Sequence, residues 1–136
     1  WKVNNSMSKH QPVVWVVSRV GVNKFGWTPD LSDASRYGIM RVVFESDDRP
    51  QYLPGPSLQR AKRVMKDYNS EEDFILWGGG GDPIAVACVT AVATLLCTKS
   101  ITFLRWERNI EQGVRDRRKG WYMPVSIPIK GIRHED

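Results

Sequence analysis

Four consecutive glycines lie between a short apolar run, 73–77, and a long apolar segment that begins with Asp82 and Pro83. Glycines between a strand and a helix let main-chain N–H groups converge on an anion at the positive end of the helix dipole. The same glycines also permit a tight turn that holds no ligand. The candidate ligand-binding residues are Gly78, Gly79, Gly80, Gly81 and Asp82.

Asp82 weighs against a phosphate at this turn. The sequence GGGGDP lacks the lysine of a Walker loop and the spacing of a dinucleotide-binding turn. Asp followed by Pro is a strong helix start, because the carboxylate caps free N–H groups and Pro fits the first helical position. A capping carboxylate competes with phosphate for the same donors. We therefore favour a structural turn, and any ligand should be a neutral or cationic group such as a ribose hydroxyl or an amine.

Four side chains are candidate neighbours of this turn, although sequence does not place them. They are Tyr37, Trp77, Arg105 and Trp106.

A second group of candidate residues mixes basic and aromatic side chains near the C-terminus. Such a mixture can supply phosphate contacts and stacking platforms for single-stranded nucleic acid, or anchor a protein partner. The alternative is a solvated loop, because Glu107, Glu111 and Asp116 offset part of the charge. The candidate partner-binding or nucleic-acid-binding residues are Arg105, Trp106, Arg108, Arg115, Arg117, Arg118, Lys119 and Trp121.

No catalytic or metal-binding constellation is evident. The two histidines, His10 and His134, fall in predicted tails, and no Cys/His/Asp cluster has metal-ligand spacing. Cys88 and Cys97 lie on opposite sides of one predicted helix, roughly 13 Å apart along it, which is too far for a disulfide. We assign no catalytic residue, no metal and no cofactor, and the question of enzyme activity stays open, with the balance against it.

A parallel strand–helix–strand unit surrounds the glycine turn. Strand 73–77, helix 83–98 and strand 100–107 follow one another with short connections, which favours a right-handed βαβ unit. The helix is apolar on nearly every side, so we expect it to be covered on more than one face. A last strand, near 121–129, contains two prolines and is assigned to a sheet edge.

The remaining pattern predicts an α/β fold with one small domain and a mixed sheet. Residues 12–20 and 36–46 are predicted strands, and residues 57–68 are a predicted amphipathic helix with a basic outer face. The apolar stretch 84–97 would span about 21 Å as a helix, which is short for a membrane. The predicted divisions of the chain are a flexible arm, 1–11, the α/β domain, 12–130, and a C-terminal tail, 131–136.

The second half of the chain resembles a group of small uncharacterised proteins encoded in tailed-bacteriophage genomes. The resemblance is carried by DFILWGGGGDPIAVACVTAVAT, ITFLRWER and WYMPVSIPI, and above all by Gly81, Asp82, Pro83 and Trp106. It implies a phage origin and expression in the cytoplasm of a bacterial host. It implies no activity.

These observations lead to three functional hypotheses. The first is a phage accessory protein that binds a host or phage macromolecule, either protein or nucleic acid, without catalysis. The net charge of +5 permits an anionic partner but does not require one. The second is a nucleotide-binding or nucleotide-modifying enzyme that uses the glycine-rich turn. The third is a structural component of the virion.

Overall fold

The computed structural model describes residues 10–21, 26, 28, 30–45, 54–78, 82–108 and 120–130. These residues form one five-stranded sheet, two α-helices and a short 3-10 helix. In chain order the elements are β1 (Val13–Ser18), the 3-10 helix (Ser32–Tyr37), β2 (Ile39–Phe44), α1 (Pro54–Val64), β3 (Phe74–Leu76), α2 (Pro83–Leu96), β4 (Ser100–Arg108) and β5 (Gly120–Pro128).

The sheet is mixed, as the sequence predicts. Its strand order is β2-β1-β3-β4-β5; the first four strands are parallel and β5 runs antiparallel to β4. The predicted βαβ unit is confirmed as β3, α2 and β4, with the helix ending at Leu96. The predicted edge strand is confirmed as β5, one residue earlier than expected at each end.

The connections between strands lie on opposite faces of the sheet. From β1 the chain moves to β2 through the 3-10 helix, and from β2 it returns past β1 to β3 through α1. Because these two steps run in opposite directions along the sheet, right-handed crossovers require them to use opposite faces. Accordingly, α1 and α2 pack together on one face, and the 3-10 helix packs against β1 and β5 in the other apolar cluster.

β1 contributes side chains to both apolar cores. Val13, Trp15 and Val17 point into the core beneath the two α-helices, whereas Val14 and Val16 point into the core beneath the 3-10 helix. This arrangement explains why the β1 sequence VVWVV is apolar at every position and does not alternate. A strand that is covered on both faces has no solvent-facing side on which to place polar residues.

α2 is covered on more than one side, as its sequence predicts. It contacts α1 and packs onto β1 and β4. Its fully buried side chains are small, and small side chains allow close approach of the helix to its neighbours. The last turn differs, because Leu95 and Leu96 remain exposed to solvent.

The carboxylate of Asp73 joins the beginnings of β1 and β3. Asp73 is 1% exposed. Its Oδ1 accepts from the Val13 amide at 3.0 Å and lies 2.7 Å from Nε2 of His10. Its Oδ2 accepts from Nε1 of Trp15 and from the Asn69 amide, each at 2.9 Å. All four lone-pair directions of the carboxylate are therefore used.

These contacts join two regions that are far apart in the sequence. His10, Val13 and Trp15 lie about sixty positions before Asp73, and Asn69 closes the turn that follows α1. A buried carboxylate is costly unless its oxygens are fully hydrogen-bonded, which is the case here. The indole N–H of Trp15 would otherwise be a donor without a partner inside the core. Asp73 therefore sets the position of β1 against β3.

We predict that Asp73→Asn lowers the free energy of unfolding by about 3 kcal/mol. Asparagine presents one oxygen and one NH₂ group to a site whose partners are mainly donors, so at least one buried donor loses its acceptor. Urea denaturation measures the change. The matched control is Asp67→Asn on the exposed surface of the same connection, with an expected effect within about 0.5 kcal/mol. Equal stability of Asp73→Asn and the unmodified protein would contradict the assignment.

Candidate binding surfaces

The glycine-rich turn lies where the strand order reverses. β1 and β3 are adjacent, but the chain leaves β1 toward the 3-10 helix and leaves β3 toward α2. The two connections therefore diverge to opposite faces at the carboxyl edge, the edge at which the parallel strands end. In open α/β sheets this is the place where ligands bind. Gly78 and Asp82 lie at this edge; Gly79, Gly80 and Gly81 fall outside the described residues.

Close packing explains the first glycine of the turn. A Cβ atom at position 78 would lie 2.8 Å from Cγ2 of Val20, which follows β1. That distance is too short for two carbon atoms, so a side chain at 78 would require Val20 to move. Packing against Val20 therefore explains why position 78 is a glycine, and no ligand is needed to explain it.

Asp82 caps α2, which confirms the sequence prediction. Its Oδ1 accepts from the Ile84 amide at 2.9 Å, its backbone is extended, and Pro83 occupies the first helical turn. The other oxygen, Oδ2, is buried, and no residue that the structure describes donates to it. A buried carboxylate oxygen without a donor is unusual in a folded protein. Its chemistry suits a hydroxyl or an ammonium donor and disfavours a phosphate.

Asp82 also influences a cysteine of α2. Burial, and after it the negative charge of Asp82, raises the pKa of the Cys88 thiol. A nucleophilic cysteine requires the opposite shift, because its thiolate must form near neutral pH. Cys88 and Cys97 are both free and buried, which agrees with the prediction that they form no disulfide.

The predicted neighbours of the turn separate into two groups. Trp77 directly follows β3 and is 49% exposed at the carboxyl edge. Tyr37 and Trp106 instead pack in the core beneath the 3-10 helix, where Tyr37 contacts the Phe74 ring and Trp106 contacts the Tyr122 ring. Of the three aromatic residues, Trp77 is therefore the exposed one, and it directly precedes Gly78.

The basic aromatic group is also divided between two faces of the sheet. Arg105 is exposed and its Nε donates to Oε2 of Glu107 at 2.7 Å, while Trp106 points to the opposite face. Trp121 is paired with Glu107 in the sheet register and is exposed on the same face as Arg105. Arg108 pairs with Gly120 at the carboxyl edge. The other predicted residues, Arg115, Arg117, Arg118 and Lys119, lie outside the described residues.

A group of exposed apolar side chains was missed by the sequence reasoning. Within the described part of the chain, seven large apolar residues are exposed, and five of them lie on β5 or in the last turn of α2. We call these five residues the apolar strip: Leu95, Leu96, Trp121, Met123 and Ile127. The sequence WYMPVSI contained a signal for this group, because side chains alternate between the two faces of a strand. Trp121, Met123, Val125 and Ile127 therefore share one face.

The 3-10 helix covers part of the open edge of β5. The Tyr122 amide donates to Oδ2 of Asp33 at 2.6 Å. The Tyr122 carbonyl accepts from Nη2 of Arg36 at 3.1 Å and from the Tyr37 hydroxyl at 2.8 Å. These partners lie outside the sheet, so the main-chain groups of Tyr122 point away from β4.

The two prolines of β5 complete the protection of this edge. Main-chain groups alternate in direction along a strand, so positions 124, 126 and 128 face outward together with Tyr122. Pro124 and Pro128 occupy two of these positions. Because their nitrogens carry no hydrogen and would not face β4, they cost the sheet no hydrogen bond and deprive the open edge of two donors.

Comparison with known proteins assigns a family. The model of a family described as phage Pam3 gp32-like proteins matches residues 12–128, from the residue before β1 to the last residue of β5. The chain belongs to this family. The predicted relationship to phage proteins is therefore confirmed. The family match extends beyond the second half of the chain and includes all five strands of the sheet. No curated protein matches the chain, and no solved structure matches it.

The described residues of this phage protein form neither a metal-binding cluster nor a membrane-spanning helix. No three residues among its His, Cys, Asp and Glu are grouped so that they could hold a metal ion. None of its described helices has the length and apolar character that are needed to cross a bilayer.

We predict opposite outcomes for two substitutions of Asp82. Asp82→Ala removes the helix cap and should lower the free energy of unfolding by about 1 kcal/mol. Asp82→Ser keeps a capping oxygen and removes the buried oxygen that has no donor among the described residues, so it should be at least as stable as the unmodified protein. Thermal or urea unfolding measures both. If Ser is as destabilising as Ala, the second oxygen has a partner that stabilises the fold.

Proposed function

We propose that this phage protein acts by binding another protein, of host or phage origin, through the apolar strip. The observation that carries the proposal is the concentration of exposed apolar side chains at β5 and the end of α2. Contiguous exposed apolar surface is a mark of interaction sites. Trp and Met are also among the residue types that are enriched at protein interfaces.

The charges beside the strip support a protein partner over a nucleic acid. The positive charge of Arg105 is offset by Glu107, with which it forms a hydrogen-bonded ion pair. Binding sites for single-stranded nucleic acid combine basic grooves with exposed aromatic rings on which bases stack. Trp106, which adjoins Arg105 in the sequence, packs against Tyr122 at 4.9 Å between ring centroids and contributes to the core, whereas Trp121 is exposed beside an ion pair whose charges cancel.

We expect the double substitution Met123→Glu and Ile127→Glu to abolish partner capture. Two carboxylates in the centre of an apolar contact would have to be desolvated without a counter-charge. The measurement is quantitative mass spectrometry of proteins that co-purify with the tagged chain from infected cells. Ile39→Glu is the matched control, because Ile39 is also exposed but lies on β2 at the other edge of the sheet.

Two results would contradict this proposal. One is a partner that the strip variant retains at the level of the control. The other is a partner that nuclease treatment releases, because such a partner is held through nucleic acid.

A second function, the binding of a nucleoside or nucleotide at the carboxyl edge beside Asp82, is supported by the environment of that residue. The buried Oδ2 of Asp82 is an acceptor without a donor among the described residues. A ribose hydroxyl or a base amine would supply the missing hydrogen bond. Trp77, which is half exposed at the same edge, offers a ring against which a base could stack.

Thermal-shift screening with nucleosides and nucleotides tests this second function. A ligand at a hundred times its dissociation constant should stabilise the protein by about 2.7 kcal/mol. Nucleosides should stabilise at least as well as their phosphates, because the carboxylate of Asp82 repels phosphate. Asp82→Ser should remove the shift while it keeps the helix cap. Absence of any shift, or a shift that survives in Asp82→Ser, would exclude this site.

A further inference from the structure

We propose that the outward side of α1 is a further binding surface and that it binds the phosphate backbone of double-stranded DNA. This inference goes beyond the proposed function, because it concerns a part of the chain other than the apolar strip. The surface consists of five basic residues, which we call the basic face: Arg41, Arg60, Lys62, Arg63 and Lys66. Their common direction, their shortage of acidic partners and the burial of the neighbouring aromatic rings carry the inference.

The geometry of α1 turns its basic side chains away from the core. Successive residues of a helix are rotated by about 100°, and Ala61 is a buried residue of α1. Arg63 is therefore rotated by about 160° from Ala61 and points away from the core. Arg60 and Lys62 lie on the two flanks of the helix, each about 100° from Ala61. Lys62, Arg63 and Lys66 are all exposed to solvent.

Two arginines extend the basic face from α1 to β2, the edge strand with which α1 packs. Nε of Arg60 donates to the Val43 carbonyl of β2 at 3.2 Å. Arg41 is exposed and is paired with Trp15, whose side chain points into the core beneath the α-helices. Because paired residues of neighbouring strands share one face, Arg41 lies on the face that carries α1. The basic face therefore includes the sheet edge as well as the helix.

The basic face has few acidic partners in the described part of the chain. Lys62, Arg63 and Lys66 form no ion pair with another described residue, the neighbouring Asp67 included. Lys62 and Lys66 are four positions apart, a spacing at which like charges destabilise a helix. The dipole of α1 favours basic residues in its last turn, which accounts for Lys62 and Arg63 but not for Arg41. Helix stability alone therefore does not explain the excess of positive charge.

Positive charge is concentrated on this side of the described chain. Outside the basic face, the described residues include nine acidic and six basic side chains, histidine not counted, so their net charge is negative. A surface that serves solubility alone normally mixes both signs. A one-sided charge instead creates a field that attracts and orients a polyanion.

The neighbouring aromatic residues favour a duplex over a single strand. Among the described residues of α1, β2 and the turn that follows α1, the aromatic ones are Phe44 and Tyr68, and both are buried. Sites for single-stranded nucleic acid use exposed rings on which bases stack. Phosphate contacts from Lys and Arg need no such ring and do not depend on the base sequence.

The shape of the basic face favours DNA over RNA. An α-helix with its side chains is about 10–12 Å across, and the major groove of B-DNA, about 12 Å wide, admits such a helix. The major groove of duplex RNA is too narrow for side chains to enter. With Arg63 directed into the groove of DNA, Arg60 and Lys62 on the flanks of α1 would face the phosphates of the two bordering strands.

Fluorescence anisotropy of the full chain with a labelled DNA duplex of arbitrary sequence, measured over a salt series, tests the proposal. Lys62→Gln and Lys66→Gln combined should weaken binding by about tenfold or more and reduce the slope of log K against log salt by about 2, because each lost phosphate contact lowers it by about 1. The matched control is Lys99→Gln with Lys130→Gln, which removes the same charge from two exposed lysines outside the basic face. This control should bind within about twofold of the unmodified protein. Near-ultraviolet circular dichroism confirms that each variant is folded.

Two results of this titration would overturn the proposal. One is the absence of duplex binding at about 0.1 mM protein in low salt, because non-specific DNA binding has dissociation constants of about 10⁻⁴–10⁻⁶ M even at physiological salt. The other is equal weakening by the lysine control, because binding would then follow the total charge of the chain and not the position of the basic face.

Competition with other polyanions tests the class of partner. Unlabelled duplex DNA should displace the labelled duplex better than duplex RNA, single-stranded DNA or polyglutamate. Better competition by duplex RNA would contradict the fit of α1 to the major groove, and better competition by single-stranded DNA would assign the binding to base stacking. Better competition by polyglutamate would indicate an acidic protein as the partner. Each of these three outcomes overturns the assignment to double-stranded DNA.

Discussion

The buried carboxylate of Asp73 is the contact on which the arrangement of the sheet depends. It receives hydrogen bonds from the start of β1, from the Trp15 indole inside the core and from the turn after α1, and it lies against His10. β3 has only three residues and pairs with β1 through a short register. So short a strand contributes few ladder hydrogen bonds, and the side chain that precedes it supplies the additional contacts that hold it beside β1.

The pairing of β1 with β3 determines where the two candidate surfaces lie. These strands are adjacent while their connections leave to opposite faces, so the glycine turn lies at the carboxyl edge, where Val20 packs against Gly78. The same order sends both α-helices to one face, where they cover the sheet from β2 to part of β4. β5 lies beyond them, and its side chains on that face are left exposed. The position of the glycine turn and the exposure of the apolar strip are thus two results of one topology.

Local signals were sufficient for several predictions. Asp82 and Pro83 identify the start of α2, since capping chemistry involves only neighbouring residues. The prolines of β5 identify an edge strand, because a proline in an interior strand would remove a sheet hydrogen bond. Long-range contacts were beyond such reasoning. His10 was assigned to a polar arm, and nothing near it in the sequence indicates Asp73, sixty-three positions away. Likewise, adjacent residues of β4 suggested one basic aromatic site, but consecutive strand residues point to opposite faces, so Trp106 is in the core and Arg105 in solvent.

The amino-acid sequence by itself determined the α/β class, the parallel unit around the glycines, the cap of α2 and the edge position of β5, because each depends on interactions between residues close in the chain. Only the tertiary structure decided which surfaces are available for binding. Exposure of Trp121, Met123 and Ile127 depends on how far α1 and α2 extend across the sheet, and the burial of the second Asp82 oxygen depends on the elements that pack around it. The exposure of these side chains and the environment of Asp82 both depend on packing between elements that are separate in the sequence, and local propensity does not determine that packing.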